Sequence, residues 1–280
     1  MMPDTVTTIG NSVIQHGPLN NRIYLMHLSE EDGFEILPEL DEIARKNGYS
    51  KIFAKVPVSR KDEFECAGYL SEAYVPGFLR GVDGIYFMAK FFDHERAVPV
   101  GKKEIGDLLS RACAGTQYNR TSGIKDGFSS GISGKSDSNE LASAFGSVFP
   151  SYPFPIHDPV YISETMDENV FYFHIIDESN SGIVSVSSAE MDHQDKNVEM
   201  TNFATLPGYQ GNGFAAYLLR LMEEEMRRFG MKTAYTIARS LSYPMNRTFA
   251  GCGYAYAGTL VNNTHICGKI ESMNVWYRFL

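Results

Sequence analysis

The amino-acid sequence predicts an α/β (α+β) protein in which strands and helices are interleaved along the chain. Three observations carry that prediction. Apolar residues recur at strand-like and helix-like spacing in alternating segments. The order strand, helix, strand, helix, strand, strand occurs twice. One strand, at Val198–Thr205, passes through a glycine-rich turn directly into an amphipathic helix.

Residues 1–20 are polar and read as irregular. Arg22–Leu28 reads as a strand, and Phe34–Lys46 carries apolar residues at helical spacing, with Asn47-Gly48 as a fitting stop. Lys51–Val56 is strand-like, Ser59–Ala67 a short helix started by Ser59, and Tyr69–Val75 and Ile85–Phe92 are further strands. Lys102–Cys113 reads as a helix. Gly115–Asn139 is rich in Gly, Ser and Lys and reads as a flexible segment, either a lid over a substrate or a plain connection. Glu140–Val148 is helical, and Val170–Ile176 with Ile183–Ser188 forms a hairpin.

The opening order then returns. Val198–Thr205 is a strand, Phe214–Phe229 a helix and Thr233–Ala238 a strand; a short helix runs through Phe249, and strands lie near Ala255–Val261 and Met273–Phe279. The two short helices end alike, in Phe64-Glu-Cys-Ala-Gly-Tyr69 and Phe249-Ala-Gly-Cys-Gly-Tyr254. Similarity of this kind marks a duplicated unit and divides the chain into residues 1–98 and 99–280.

Bulk properties narrow the function. The 280 residues are 43% hydrophobic and 21% charged, an ordinary globular composition. No apolar run reaches the roughly 18–20 residues that span a bilayer, and the amino terminus has no basic region followed by an apolar stretch, so the expected compartment is the cytoplasm. A net charge of −9 argues against a nucleic-acid surface and suits a cationic small substrate. Cys66, Cys113, Cys252 and Cys267 form no CxxC pair, and the histidines show no HxxxH spacing, so neither a redox motif nor a metal site is expected.

The chemistry is concentrated in the stretch from Glu199 to Ala215. A strand stops before Pro207, glycines follow, and a helix begins at once with Ala215, Leu218, Leu219, Met222, Met226 and Phe229 on one face. The first amides of a helix have no partner within it, and the dipole there is positive. Gly211 and Gly213 lack a Cβ, so phosphate oxygens can reach the backbone. A diphosphate fits this turn. A nicotinamide dinucleotide does not, because Gly211-Asn-Gly-Phe-Ala-Ala216 breaks the GxGxxG spacing and no acidic residue follows at the required distance.

The pattern [Q/R]xxGx[G/A], here Gln210, Gly213 and Ala215, preceded by Thr205-Leu206-Pro207, resembles the phosphate loop of the GNAT acetyltransferase family. That resemblance implies a GNAT acyltransferase fold with a mixed, mostly antiparallel sheet, preceded here by a degenerate half-repeat, and acetyl-CoA as co-substrate. A closer likeness covers nearly the whole chain. Thr201–Pro207, Thr233–Arg239 (TAYTIAR), Gly258–Thr264 and Ile270–Tyr277 (IESMNVWY) resemble the beta-lysine N6-acetyltransferase family, whose members make the compatible solute N6-acetyl-beta-lysine. Residues 122–137 carry little of that likeness.

Roles follow from the resemblance residue by residue. The backbone of Phe203, Ala204 and Thr205 is expected along the pantetheine arm. Gln210, Gly211, Asn212, Gly213, Phe214 and Ala215 are expected on the pyrophosphate, with Asn246 bonded to the arm. Glu199 matches the general-base position of histone-acetylating members and is the expected proton acceptor for an ammonium of ordinary pKa about 10.4. Many members protonate the leaving thiolate with a tyrosine, but the corresponding position is Phe249, which leaves Tyr243, Tyr254 or water as alternatives. Glu271 and Asn274 are the candidate readers of the substrate ammonium, and Arg239 of its carboxylate. The amino-terminal repeat offers only acidic Ser29-Glu-Glu-Asp-Gly33 where the phosphate turn would stand, so it reads as a cofactor-free half-domain. Another amine substrate, or an acetyl-CoA sensor without catalysis, are the alternatives; a homo-oligomer is left open.

Overall fold

The computed structural model describes residues 4–118 and 123–280. The amino-terminal part contains β1 (Thr5–Ile9), β2 (Ser12–Gly17), β3 (Arg22–His27), α1 (Ile36–Asn47), β4 (Lys51–Pro57), α2 (Lys61–Cys66), β5 (Leu70–Leu79) and β6 (Asp83–Phe91). After α3 (Lys102–Ala114) come β7 (Phe128–Ile132), α4 (Ser138–Val148), α5 (Pro159–Asp167), β8 (Val170–Asp177) and β9 (Gly182–Asp192). The chain closes with β10 (Asn197–Thr205), α6 (Phe214–Arg228), β11 (Thr233–Arg239), α7 (Tyr243–Gly251), β12 (Ala255–Ile266) and β13 (Lys269–Phe279).

The strands form one sheet in the order β1-β2-β3-β4-β6-β5-β12-β13-β11-β10-β9-β8-β7. Two neighbouring pairs, β3/β4 and β10/β11, are parallel, and the others are antiparallel. Each parallel pair is bridged by a helix, α1 or α6, as a crossover requires. The order β3-β4-β6-β5 is mirrored by β10-β11-β13-β12, and the two arrays meet where β5 approaches β12. Contact there is close: Ala73 pairs with Gly258, and a Cβ at Gly258 would lie 2.1 Å from the Glu72 carbonyl oxygen. Only glycine fits this seam.

Each helix covers its own array. Ile36, Leu37, Leu40 and Ala44 of α1 pack on Ile23, Leu25, Ile52 and Ala54. Leu218, Leu219, Met222 and Met226 of α6 pack on Val198, Met200 and Ala234. A separate cluster, including Phe53, Phe87, Tyr235, Leu260 and Val275, joins the two arrays.

The structure departs from the sequence reading in three places. Residues 5–17, read as irregular, form the hairpin β1/β2. Thr5–Thr8 of β1 are exposed on both faces, so no buried alternation marks them. Within 115–139, read as flexible, β7 pairs with β8 as an edge strand; residues 119–122 of that segment lie outside the described residues. Helix α5 was not anticipated, although Pro159 stands at its first turn and the Asp158 carboxylate accepts the Val160 N–H at 2.9 Å.

Candidate active site

The centre of the site is a row of side chains set by strand register. Glu199 on β10 stands directly opposite Glu190 on β9 and opposite Tyr235 on β11. Side chains at opposed positions share one face of a sheet, so two carboxyls and a phenol stand side by side. All three line a cavity of about 1220 Å³. Glu190 retains accessible surface because it faces this cavity, yet protein surrounds it.

The cavity is walled from both halves of the sheet. Arg22, Tyr24, Phe53 and Lys55 come from β3 and β4, and Glu199, Thr201, Tyr235 and Ile237 from β10 and β11. The Lys55 ammonium donates to the Tyr235 hydroxyl at 3.0 Å. It lies 5.3 to 5.9 Å from the ring centres of Tyr235, Tyr24 and Phe78. Burial opposes that charge, but Tyr235, Tyr24 and Glu199 together hold the ammonium above its ordinary range.

This setting perturbs the acids. Burial raises the Glu199 carboxyl above its usual range, while the Lys55 ammonium and the Tyr235 hydroxyl favour its charged form. Burial, reinforced by the facing Glu199 carboxylate, pushes Glu190 up to about 8, with Lys55 again opposing. Two like charges on one rung resist joint ionisation, so the pair holds a proton near neutral pH.

Beyond the Glu199/Tyr235 rung the sheet opens. Parallel pairing of β10 and β11 covers Asn197 to Glu199 and then ends, while β11 continues on β13 to Arg239. The facing edges diverge, and Phe203 and Thr205 line the gap. At its outer end the turn into α6 forms the wall through Gln210, Gly211, Asn212, Gly213, Phe214 and Ala215. Gly211 and Gly213 have φ of 81° and 78°, and nothing lies within 4 Å of a Cβ built on either. The helix has no acidic residue in its first turn and no side-chain cap. Lys125 donates to the Asn212 amide oxygen at 3.1 Å, bringing a cation to the turn.

Other expected site residues are engaged within the fold. Ala204 is buried in the core behind the strand and donates no surface to the cavity. Asn246 is fully buried, its Nδ2 bonded to the carbonyls of Arg239, Ser240 and Ser242 and its Oδ1 to Asn274 and Trp276. Asn274 is occupied by Asn246 and Thr259. Glu271 lies outside the cavity, gripped by Arg239 through two bonds of 3.0 and 2.8 Å. Arg239 reaches the cavity wall, but its remaining nitrogen bonds the Cys267 sulfur at 3.2 Å. These three polar residues and Arg239 therefore join α7, β11, β12 and β13; their hydrogen bonds are spent inside the protein.

Phe249 lines the cavity edge-on to Phe203 and Tyr254. Of the two alternative tyrosines, Tyr243 reaches the cavity and Tyr254 does not. Among the described residues, no group of three or more His, Cys, Asp or Glu is placed to hold a metal, and no helix is long and apolar enough to cross a membrane. Glu190, Lys55 and Arg22 were missed in the sequence: Glu190 lies past the predicted hairpin end, and the other two reach the site only through the long-range pairing of the halves.

A helix amino terminus beside a splayed parallel pair, with an acid at the last rung, is the arrangement of an acyl-CoA-dependent acetyltransferase. Residues 139–254 match the Acetyltransferase (GNAT) family, and the chain is a GNAT acetyltransferase. It is 43% identical over 275 residues to the beta-lysine N(6)-acetyltransferase of Methanococcus maripaludis, covering 98% of both chains. The protein of the same name from Methanosarcina mazei is 31% identical, over 88% of this chain and 97% of that one. The chain belongs to the beta-lysine N6-acetyltransferase family. Among solved structures, the ribosomal-protein-S5-alanine acetyltransferase of Vibrio fischeri is similar with a TM-score of 0.48 and 13% identity, covering 57% of this chain and 96% of that chain.

Proposed function

We infer that this protein transfers the acetyl group of acetyl-CoA to the N6 amine of beta-lysine, giving N6-acetyl-beta-lysine. The near-full-length likeness to two proteins of that activity supports the substrate. One geometric observation carries the chemistry: the Glu190–Glu199–Tyr235 row and the Gly211–Ala215 turn open onto the same cavity.

The turn fits a pyrophosphate. Its glycines leave open space where a Cβ would stand, and the unpaired first amides of α6 supply donors with the positive end of the helix dipole behind them. The divergent edge of β10, from Phe203 to Thr205, receives the pantetheine arm, and an N–H of this edge faces the thioester oxygen as charge develops there. Glu199 accepts a proton from the substrate ammonium, directly or through water. The freed nitrogen lone pair attacks the thioester carbonyl and the C–N bond forms; the adduct nitrogen loses its second proton to water, the C–S bond breaks, and the leaving thiolate takes a proton from water or a cavity hydroxyl. Holding amine and thioester together supplies the remaining acceleration without a covalent enzyme intermediate.

Residues 1–98 serve in this reading as a half-domain without a cofactor turn. Asp32, where a phosphate turn would begin, already accepts the Asn11 amide and the Ser12 hydroxyl. The partner is a small diamino acid, and the reaction belongs in the cytoplasm, where acetyl-CoA is available.

The test is incubation of purified protein with acetyl-CoA and a panel comprising beta-lysine, lysine, polyamines and a lysine-containing peptide. Thiol release is followed, and the acetylated position is assigned by mass spectrometry. Selective turnover of beta-lysine at N6 is expected. Turnover of another amine instead, or acetyl-CoA binding with no turnover, overturns the reading.

A further inference from the structure

The cavity has two poles, and the substrate reading accounts for one of them. At the acidic pole stand Glu190 and Glu199. At the other, β12 bulges between Leu260 and Thr264, and two arginines from the amino-terminal half clasp the bulge. Arg96 donates to the Asn262 carbonyl at 2.7 Å, and Nη1 of Arg22 bonds the Asn263 carbonyl and the Thr264 hydroxyl. Lys51 is buried nearby, paired with Glu72 at 2.9 Å. Three cations thus gather here, with Glu72 ion-paired to Lys51 and Asp4 and Asp93 acting on Arg22 and Arg96.

Two polar atoms there have no partner. Nε of Arg22 and Oδ1 of Asn263 are buried without a hydrogen bond, although the residues are 4% and 1% exposed and both line the cavity. Buried polar groups are nearly always bonded, and an orphan costs roughly 1–3 kcal/mol. Such a pair, one donor and one acceptor on a cavity wall, points to a ligand that supplies both complements. Because Nη1 is tied to the chain, the guanidinium is left with its Nε side, the edge that grips a carboxylate in two parallel bonds.

Of the five other cavity cations, four bond elsewhere, although Arg247 keeps a buried, unbonded Nη1, and Arg220 of α6 is not free either. Lys55 bonds Tyr235, Arg239 holds Glu271, Lys125 holds Asn212 at the pyrophosphate turn, and Arg247 bonds the Thr116 carbonyl.

We propose that Arg22 and Asn263 form the head-group subsite for a β-amino acid, Arg22 binding its carboxylate and the Asn263 amide oxygen its neighbouring ammonium. This rests on the beta-lysine reading above and assigns specificity to the seam between the halves. The distal amine then extends past Tyr24 and Lys55 to Glu199. The degenerate repeat is retained because it carries one end of the substrate site.

The experiment compares kcat/KM for beta-lysine, 1,4-diaminopentane (beta-lysine without its carboxylate) and 6-aminohexanoate (beta-lysine without its 3-amine) in the full-length protein. Wild type is expected to prefer beta-lysine over the diamine by at least 100-fold. Arg22→Gln is expected to reduce that preference by at least tenfold, mainly through KM, with Arg22→Lys restoring part of it. Asn263→Leu is expected to narrow the preference for beta-lysine over 6-aminohexanoate and to leave the carboxylate preference standing. Equal use of beta-lysine and the diamine by wild type overturns the subsite, as does equal loss on both substrates in Arg22→Gln. If Arg22→Gln does not fold, the wild-type preferences and Asn263→Leu decide. Absence of turnover on every amine is a different result and strikes the acetyltransferase reading itself.

Discussion

The Lys55 ammonium of β4 donates to the Tyr235 hydroxyl of β11 at 3.0 Å, so a cation from one array of the sheet reaches the Glu190–Glu199–Tyr235 row of the other. Tyr235 is the register partner of Glu199. The amino-terminal half therefore acts on the electrostatics of the proposed base as well as on the shape of the cavity.

That relationship predicts a pH effect. Lys55 favours the charged form of Glu199, so Lys55→Met removes an attraction and raises the carboxyl further. The base-requiring limb of the kcat/KM profile is expected to move to higher pH, and Lys55→Arg to move it partly back. An unmoved limb in Lys55→Met removes Lys55 from the proton chemistry.

Glu190 acts in the opposite sense. Its carboxyl shares a rung with that of Glu199 on the neighbouring strand, and two carboxyls so placed resist ionising together. Glu190→Gln is expected to move the same limb to lower pH. A shift upward contradicts the row as described.

Glu199→Gln is expected to lower kcat/KM at neutral pH by about 10²–10⁴-fold, the usual scale of general-base catalysis. The loss shrinks at high pH, where more of the amine is already free. A profile like that of wild type removes Glu199 from the mechanism.

Gly213 has φ of 78° with open space where a Cβ would point. Gly213→Val brings a β-branched side chain into a left-handed conformation, costing about 1–2 kcal/mol, and fills the proposed phosphate cradle. Isothermal titration is expected to show at least tenfold weaker acetyl-CoA binding. Unchanged affinity places the pyrophosphate elsewhere.

Asn246 makes five hydrogen bonds within the protein. Asn246→Ala is expected to lower unfolding free energy by about 2–4 kcal/mol in urea titration, with little change in the KM for acetyl-CoA. A selective rise in that KM restores Asn246 to the cofactor site.

The legible part of the site was the part encoded locally. A turn and the helix it opens need a few neighbouring residues, so Gln210–Ala215 could be singled out from the sequence as the candidate cofactor turn, while Glu199 was singled out by family resemblance. The repeated order of elements was readable for the same reason, and the sheet displays it as two mirrored arrays. Polar residues near the motif were less legible. Asn246, Asn274 and Glu271 have partners 15 to 32 positions away in the sequence, and a side chain's composition does not reveal whether the fold has already used its hydrogen bonds.

By itself the sequence determined the α/β class, the glycine-rich turn into a helix and the acetyltransferase family, because each is written in short-range pattern. Only the tertiary structure decided that Glu190 faces Glu199, that Lys55 bonds Tyr235, and that Arg22 stands against the Asn263 bulge. Those contacts join residues brought together by strand order and register. The closure of one half upon the other comes from many weak packing terms summed over the whole chain, and no single segment carries it.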